Sequence, residues 1–291
     1  MRNPAIRPFV VCNMRIKELL NEGIRRLAAA GIEETASDAW ILFAWMKQVD
    51  RTWYFLHMTD EAAEDETAQY LALIDRRCGR EPVQYITGEQ AFMGLPFKVN
   101  PSVLIPRLDT EVLVEECLKR LKPEAKILDM CTGSGCILIS LMHYGKCAHG
   151  TGADISPEAL QTARGNAELN GVEADLIHTN LFEHISETYD MIVSNPPYIE
   201  SEVIKTLAPE VWQHEPMLAL DGTGDGLFFY RKIVDRSPEF LNRSGWLCFE
   251  IGHNQADAVS AMMAERGFEE IKVIKDLAGL DRVVVGRLQE E

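Results

Sequence analysis

The chain reads as an α/β protein, a doubly wound and mostly parallel sheet preceded by a helical bundle and a β-hairpin connector. Three observations predict this. From Lys126 onward, short apolar runs alternate with amphipathic segments, as strands and crossover helices do. Across residues 14–79 the apolar residues recur at three- and four-residue steps instead. Between these regions, residues 85–106 interleave Gly and Pro with the extended apolar set Phe92, Leu95, Phe97, Val99, Val103 and Ile105. That stretch is too apolar for a floppy linker and suits a hairpin. The expected organisation is therefore residues 1–80 as a helical domain, 81–106 as a β-hairpin connector and 107–291 as the sheet domain.

The elements follow in order. Ile16, Leu19, Leu20, Ile24 and Leu27 line one helix face, and Gly31 ends that helix. Residues 39–46 form a second helix carrying Trp40, Phe43 and Trp45, and Asp60 is placed to cap a third over residues 61–78. These aromatics are expected in a core, not in a ligand cage, and the bundle reads as a docking module without catalytic groups. Asp109 or Thr110 is a candidate N-cap for a helix over 111–121, a role compatible with lining a pocket. Strands are expected at 127–130, 150–154, 175–178, 189–194 and 245–251, with helices at 136–144, after Ser156-Pro157, at 227–241 and at 255–266. Two successive strands, 269–274 and 281–287, close the chain without a helix between them, which implies one antiparallel member.

The 291 residues allow two domains and a sizeable core. No apolar run approaches the ~18–20 residues of a membrane helix, and the first twelve residues lack the apolar core and cleavage site of a signal peptide. Met14 opens a better amphipathic helix, so residues 1–13 read as an extension or a mis-called start. Seven cysteines without paired spacing fit free thiols and a cytoplasmic protein. Cys131 and Cys136 flank a glycine turn without a histidine partner motif, so no metal is expected there. The net charge of −16 argues against a protein built to grip a phosphate backbone and favours a protein or small-molecule partner, with no nucleic acid and no membrane.

A glycine loop between a first strand and its helix usually binds a nucleotide-like ligand. Here it is Asp129-Met-Cys131-Thr132-Gly133-Ser134-Gly135. The third glycine of a dinucleotide loop is replaced by Leu138, and the Gly-Lys-Ser/Thr of a P-loop is absent. An acid before the turn repels a pyrophosphate and suits a ligand bearing positive charge and an amino group, such as S-adenosylmethionine. Asp154, at the end of the second strand, is placed to accept the ribose hydroxyls. Asn180 and Leu181 are expected to border the adenine, the first as a polar contact and the second as an apolar lid.

Ser194-Asn195-Pro196-Pro197-Tyr198 ends the fourth strand. Asn195 offers a side-chain carbonyl, the two prolines stiffen the loop and leave carbonyls free, and Tyr198 offers a flat wall. Two acceptors and a wall make a socket for a planar NH2 group. Taken alone, the tetrapeptide also fits a Pro-Pro turn with Asn195 closing an Asx-turn. The glycine loop, Asp154 and this tetrapeptide in that order favour the socket.

With these landmarks the chain resembles the protein-glutamine methyltransferases that modify peptide chain release factors, the HemK/PrmC family. The resemblance covers most of the chain: Pro82-Val-Gln-Tyr-Ile-x-Gly88, Val103-Leu-Ile-Pro-Arg-Leu-Asp-Thr-Glu111, Ile127-Leu-Asp-x-Cys-Thr-Gly-Ser-Gly-Cys136, Asp154-Ile-Ser156, Asn195-Pro-Pro-Tyr-Ile199, Glu215-Pro216, Asp225-Gly-Leu227 and Asp281-Arg282. Residues 1–13 lie outside it. Asn-Pro-Pro-Tyr is shared with adenine-specific DNA and some RNA methyltransferases, whereas Asp109-Thr110-Glu111 after Pro-Arg points to the release-factor branch over enzymes acting on a ribosomal protein. The resemblance implies a Rossmann-like class I methyltransferase sheet and S-adenosylmethionine as cofactor, leaving S-adenosylhomocysteine as product. It places the cofactor on Cys131, Thr132, Gly133, Ser134, Gly135, Asp154 and Asn195, and the substrate glutamine on Asn195, Pro196, Pro197 and Tyr198. The family often carries an aromatic where Leu181 stands. The N-terminal bundle is what the family uses to hold its protein substrate, and a monomer is expected.

In the expected reaction the Asn195 oxygen and the Pro196 carbonyl each accept one N–H of the glutamine amide, with Tyr198 packed on it, and no general base is invoked. The alternatives are a ribosomal-protein glutamine methyltransferase, a nucleic-acid adenine N6-methyltransferase using the same socket, a non-catalytic cofactor-binding adaptor, and a nicotinamide dehydrogenase. The acidic balance weighs against the nucleic-acid enzyme, the intact socket against the adaptor, and Leu138 against the dehydrogenase.

Overall fold

The computed structural model describes residues 14–145, 147 and 149–289, which divide into two compact units, one ending at Thr87 and one beginning at Gly88. The reading of residues 1–13 lies outside the described residues.

The first unit is helical. Helices α1 (Ile16–Ala29), α2 (Thr35–Lys47), α3 (Arg51–His57), α4 (Glu64–Cys78) and the single turn α5 (Val83–Thr87) enclose Leu19, Leu27, Leu42, Phe43, Tyr70 and Ile74. A buried ion pair, Arg77 Nε to Asp38 Oδ2 at 2.7 Å, ties α4 to α2. The structure corrects three boundaries. Helix α3 was not expected; Asp50 caps it by accepting the Trp53 N–H at 2.8 Å. Asp60 does not cap α4, which starts at Glu64, and its carbonyl instead accepts the Ile16 N–H. The residues before the hairpin close into α5, not an extended segment, where the Thr87 hydroxyl donates to the Val83 carbonyl.

The second unit opens with the hairpin β1 (Glu89–Phe92) and β2 (Leu95–Lys98), then α6 (Leu108–Leu118). Then β3 (Lys126–Met130), α7 (Cys136–Gly145), β4 (His149–Asp154), α8 (Pro157–Leu169), β5 (Asp175–His178) and β6 (Tyr189–Ser194) alternate. Short turns α9 (Pro209–Trp212) and α10 (Met217–Leu220) follow, then α11 (Phe228–Arg236), β7 (Leu241–Glu250), α12 (Ala256–Glu265), β8 (Phe268–Lys275) and β9 (Asp281–Leu288). The seven strands lie in the order β5-β4-β3-β6-β7-β9-β8. All neighbours are parallel except at β9, which is the one antiparallel member expected from the paired closing strands.

Both faces of the sheet are covered, as parallel strands require. Leu113 and Val114 of α6, Ile137 and Leu141 of α7 and the hairpin's Phe92 and Phe97 pack on one face. Tyr230 and Ile233 of α11, Val259 and Met263 of α12 and the stacked pair Phe182 and Phe240 pack on the other. Neither Asp109 nor Thr110 caps α6: the helix begins at Leu108 with Arg107 as its N-cap, which puts both residues in the first turn. The segment expected as one helix over 227–241 ends earlier, because Pro238 breaks it into a 3-10 turn, Ser237–Glu239, and Leu241 already belongs to β7. Ser156 caps α8 as expected, its hydroxyl accepting the Ala159 N–H at 3.1 Å with Pro157 in the first turn. The buried side chain of Asn166 holds the hairpin to the glycine loop. It exchanges two hydrogen bonds with Lys98 (3.0 and 2.7 Å) and donates to the Ser134 carbonyl at 2.9 Å.

Candidate active site

β3 and β6 are adjacent at the centre of the sheet, with Met130 beside Ser194. The loops leaving their carboxyl ends therefore rise side by side, at the position where ligands bind in open α/β sheets. A cavity of about 470 Å³ opens there, within the usual size of a small-molecule site.

Its floor is the glycine loop. Cys131 and Gly133 take positive φ (62° and 55°), which turns the chain sharply from β3 into α7. Gly135, at φ 80°, has a second reason to be glycine: a Cβ there would meet Ile139 Cδ1 at 3.0 Å and Ala163 Cβ at 3.2 Å, so it sets how closely α7 and α8 approach. Asp129 braces the loop from below. Its Oδ2 accepts the Thr132 hydroxyl at 2.6 Å and the Leu138 N–H at 3.3 Å, while Oδ1 is buried without a hydrogen-bond partner. Burial pushes this carboxyl up to about 7, against the two hydrogen bonds. Asp129 does not belong to the cavity wall, so it supports the loop and does not touch a ligand in the cavity directly.

Asp154 stands at the end of β4. Its Oδ2 accepts the Gly133 N–H at 2.8 Å and its Oδ1 the Ser156 N–H at 2.9 Å. Burial raises its pKa, and the backbone donors of Ser156, Gly133 and Ile155 oppose that. Each carboxylate oxygen keeps a second lone pair, so the group can still accept two hydroxyls of a ligand.

Of the residues expected in the site, Cys131, Thr132, Gly133, Ser134, Asp154, Asn180, Leu181, Asn195 and Pro197 share this cavity wall. Gly135, Pro196 and Tyr198 do not line it. Tyr198 packs against the core around Tyr230, and its carbonyl accepts Gln255 Nε2 at 3.0 Å. The cavity's flat neighbours are instead Phe228 and Phe229 at the start of α11. Asn180 is exposed, its amide donating to Glu183 Oε1 at 2.9 Å, and Leu181 takes φ 50°.

Behind Asn195 lies a group that the sequence reading did not assign. Asn195 Nδ2 lies 3.4 Å from Thr110 Oγ1. The Glu250 carboxylate, at the end of β7, is 2% exposed and lies close enough to the Thr110 and Asn195 side chains for both to favour its charged form. Burial pushes it up to about 7; Thr110, the Arg282 guanidinium and Asn195 pull it down, and Asp109 pushes it further up. Arg107 lines the cavity while paired with the buried carboxylate of Glu215. The available signal for Glu250 was a single acid closing the apolar strand run Trp246-Leu-Cys-Phe249; nothing in its spacing connects it to Asn195.

The residues of the first unit and of this site match described families. Residues 18–88 match the family described as PrmC N-terminal domain, and residues 107–225 match the methyltransferase small domain. A release factor glutamine methyltransferase of Geobacter sulfurreducens is 43% identical over 275 residues, covering 94% of this chain and 96% of that protein. The chain belongs to the release factor glutamine methyltransferases. The Agrobacterium fabrum member is 42% identical over 90% of this chain and 94% of its own. Among solved structures, a methyltransferase from Pyrococcus furiosus superposes with a TM-score of 0.54 at 17% identity, covering 69% of this chain and 92% of that one. A 16S rRNA N2 G1207 methyltransferase of T. Thermophilus, in complex with AdoMet and guanosine, superposes with a TM-score of 0.50 at 16% identity, covering 69% of this chain and 50% of that one. These two likenesses establish the fold, the class I methyltransferase sheet.

Proposed function

We propose that this chain transfers a methyl group from S-adenosylmethionine to the side-chain amide nitrogen of the glutamine in the Gly-Gly-Gln motif of peptide chain release factors. One observation carries the reading: Asn195 stands on the wall of the cavity that the glycine loop and Asp154 also line. The donor set fits the cofactor, because Asp154 retains acceptor capacity for ribose hydroxyls and the loop backbone from Cys131 to Ser134 faces the cavity. Those residues would hold it, with Asn180 and Leu181 toward the adenine. When bound, the cofactor supplies an electrophilic methyl on a sulfonium.

The chain's own residues answer for the nucleophile. An amide nitrogen is poor because its lone pair is delocalised into the carbonyl. The Asn195 side-chain oxygen, together with a backbone carbonyl of the stiff Pro196-Pro197 pair, accepts its two N–H groups. That aims the lone pair out of the amide plane. Held this way, the nitrogen would take the methyl that the bound cofactor supplies, its bond to sulfur breaking as the bond to nitrogen forms, and would then give up one amide proton to water. Positioning and exclusion of water contribute most of the rate, up to ~7–11 kcal/mol in favourable cases. The first unit, which ends at Thr87, holds the release factor, and the second, which begins at Gly88 with the hairpin, carries the chemistry. The acidic balance of −16 supports a protein substrate over nucleic acid. Among the described residues no helix is long and apolar enough to cross a membrane, and the reading is of a monomer acting in the cytoplasm.

The test is transfer from labelled S-adenosylmethionine to a purified release factor, followed by peptide mass mapping. The controls are a factor with its target glutamine replaced, total ribosomal protein, and duplex DNA. One methyl on the Gly-Gly-Gln glutamine is expected. Label on ribosomal protein or DNA in its place overturns the substrate assignment while leaving the cofactor site standing.

A further inference from the structure

Asn195 can serve this transfer in only one of its two amide orientations. With its oxygen toward the cavity it accepts an N–H; with its NH2 outward it meets the substrate's NH2 donor to donor. The two ends of an amide are nearly the same size, so steric fit does not choose between them. Some group on the inner side must.

We propose that Glu250 is the positioning residue that fixes the Asn195 amide with its NH2 inward and its oxygen toward the cavity. The inference rests on the methyl-transfer reading above. Three observations carry it. First, β6 and β7 pair in parallel with Ser194 beside Phe249, so the next residue on each strand, Asn195 and Glu250, stand together at the sheet's carboxyl edge. Second, Glu250 is 2% exposed, and its Oε2 is buried without a hydrogen-bond partner, which leaves acceptor capacity beside Asn195. Third, the other inner neighbour, the Thr110 hydroxyl at 3.4 Å, both donates and accepts and so cannot discriminate between the orientations. An ionised carboxylate accepts only. It repels the amide oxygen and retains the NH2.

Glu250 is absent from the cavity wall, whereas its neighbour Asn195 is on it. Glu250 therefore acts through Asn195 and does not take a proton from substrate. The groups facing it are Asp109 and Thr110 from α6, Cys136 from α7, Asn195 and Tyr198 from the loop after β6, Arg282 from β9 and Tyr230 from α11. Arg282 is held by Asp276 at 3.0 Å and Asp109 at 3.5 Å, and acts on Glu250 through its field. With Glu250 titrating at about 7, protonation turns the carboxylate into a donor and frees the amide to turn. The lock then loosens as pH falls below that value.

The experiment uses the full chain with Glu250→Gln, which keeps shape and removes the acceptor-only character. Three readouts are followed: single-turnover methyl transfer to a release factor across pH 6–9, cofactor Kd, and the Asn195 side-chain 1H–15N pair, identified by its loss in Asn195→Asp. In Glu250→Gln we expect kcat to fall about 10- to 100-fold, cofactor Kd to stay within about two-fold, and the acidic limb of the wild-type pH profile to disappear. The Asn195 amide protons should also lose their protection from exchange. Wild-type kcat in Glu250→Gln overturns the proposal, as does a loss of rate that only tracks cofactor Kd or the folded fraction by thermal melt, or unchanged Asn195 protection. If the wild-type chain methylates no release factor while Glu250→Gln still releases the Asn195 amide, the function fails and the positioning role stands.

Discussion

Asp129 and Glu250 are both buried carboxyls near the carboxyl ends of strands β3 and β7, which flank β6 on either side, and burial pushes each up to about 7. Each also has one buried oxygen without a hydrogen-bond partner. They differ in what surrounds them. Asp129 takes a hydroxyl and an N–H from the loop and helix that directly follow it, so it shapes backbone. Glu250 is faced by side chains from α6 and from the loop after β6, and on the proposal above it orients the one that lines the cavity. The same buried acid shapes the glycine loop where its neighbours are local, and on the proposal above directs a side-chain amide where they are distant. On that proposal the glycine-loop side of the cavity depends on main-chain geometry, and the Asn195 side on the direction of one amide.

That contrast is open to test, and the largest effect should come from its substrate side. Asn195→Ala should lower turnover by ~10³-fold or more while cofactor affinity changes only a few fold, measured by single-turnover kinetics beside calorimetry. A loss of cofactor affinity in proportion to rate would move Asn195 to the cofactor side and break the contrast. Asp154→Ala should do the reverse, weakening cofactor binding about 10- to 100-fold with a smaller change in kcat at saturation, because it removes the acceptor for both Gly133 and the ligand. Gly226→Ala sharpens the comparison at a distance. Gly226 sits at φ 69°, and a Cβ there would lie 2.3 Å from the Tyr198 carbonyl oxygen. The substitution should displace the 195–198 loop and lower kcat about ten-fold, with cofactor Kd unchanged.

The smallest effect is on stability. The ordinary values of 3.8 for Asp129 and 4.5 for Glu250 rise to about 7 on folding, so between about 4 and about 7 the folded chain binds protons that the unfolded chain has released. Stability therefore falls as pH rises through that window and is lowest above it, at up to about 1.4 kcal/mol per unit of pKa shift for each group. From these two groups, Tm should rise by up to about ten degrees between pH 8 and pH 5. Asp129→Asn and Glu250→Gln should each flatten part of that rise; an unchanged slope in both would mean that other groups set it.

Much of the second unit was legible because parallel strands buried on both faces leave continuous apolar runs, as Tyr189–Ser194 does, and because glycines mark the turns. The helical turns at 209–212 and 217–220 left no such mark, since four residues are too few to show a period. Helix α3 escaped notice because its aromatic run Trp53-Tyr-Phe55 favours strand as readily as helix, and only Asp50 signals its start. That the glycine loop, Asp154 and Asn195 share one cavity was readable because each ends or directly follows a strand of the parallel sheet. Tyr198 was expected as a wall and lies outside it, because the Gln255 amide and the close approach of Gly222 and Gly226 hold its backbone against the core.

By itself, then, the sequence determined the strand order's raw material, the glycine loop after the first strand and the Asn-Pro-Pro-Tyr segment after the fourth, all properties of local pattern. Only the tertiary structure decided which side chains meet behind the Asn195 amide. Thr110, Asn195, Glu250 and Arg282 come from four separated elements: parallel pairing brings the carboxyl ends of β6 and β7 to one edge, and the antiparallel β9 begins there. Burial then does what no motif records: it removes the water that would otherwise hydrogen-bond to each group, so each group's neighbours determine its charge and its direction.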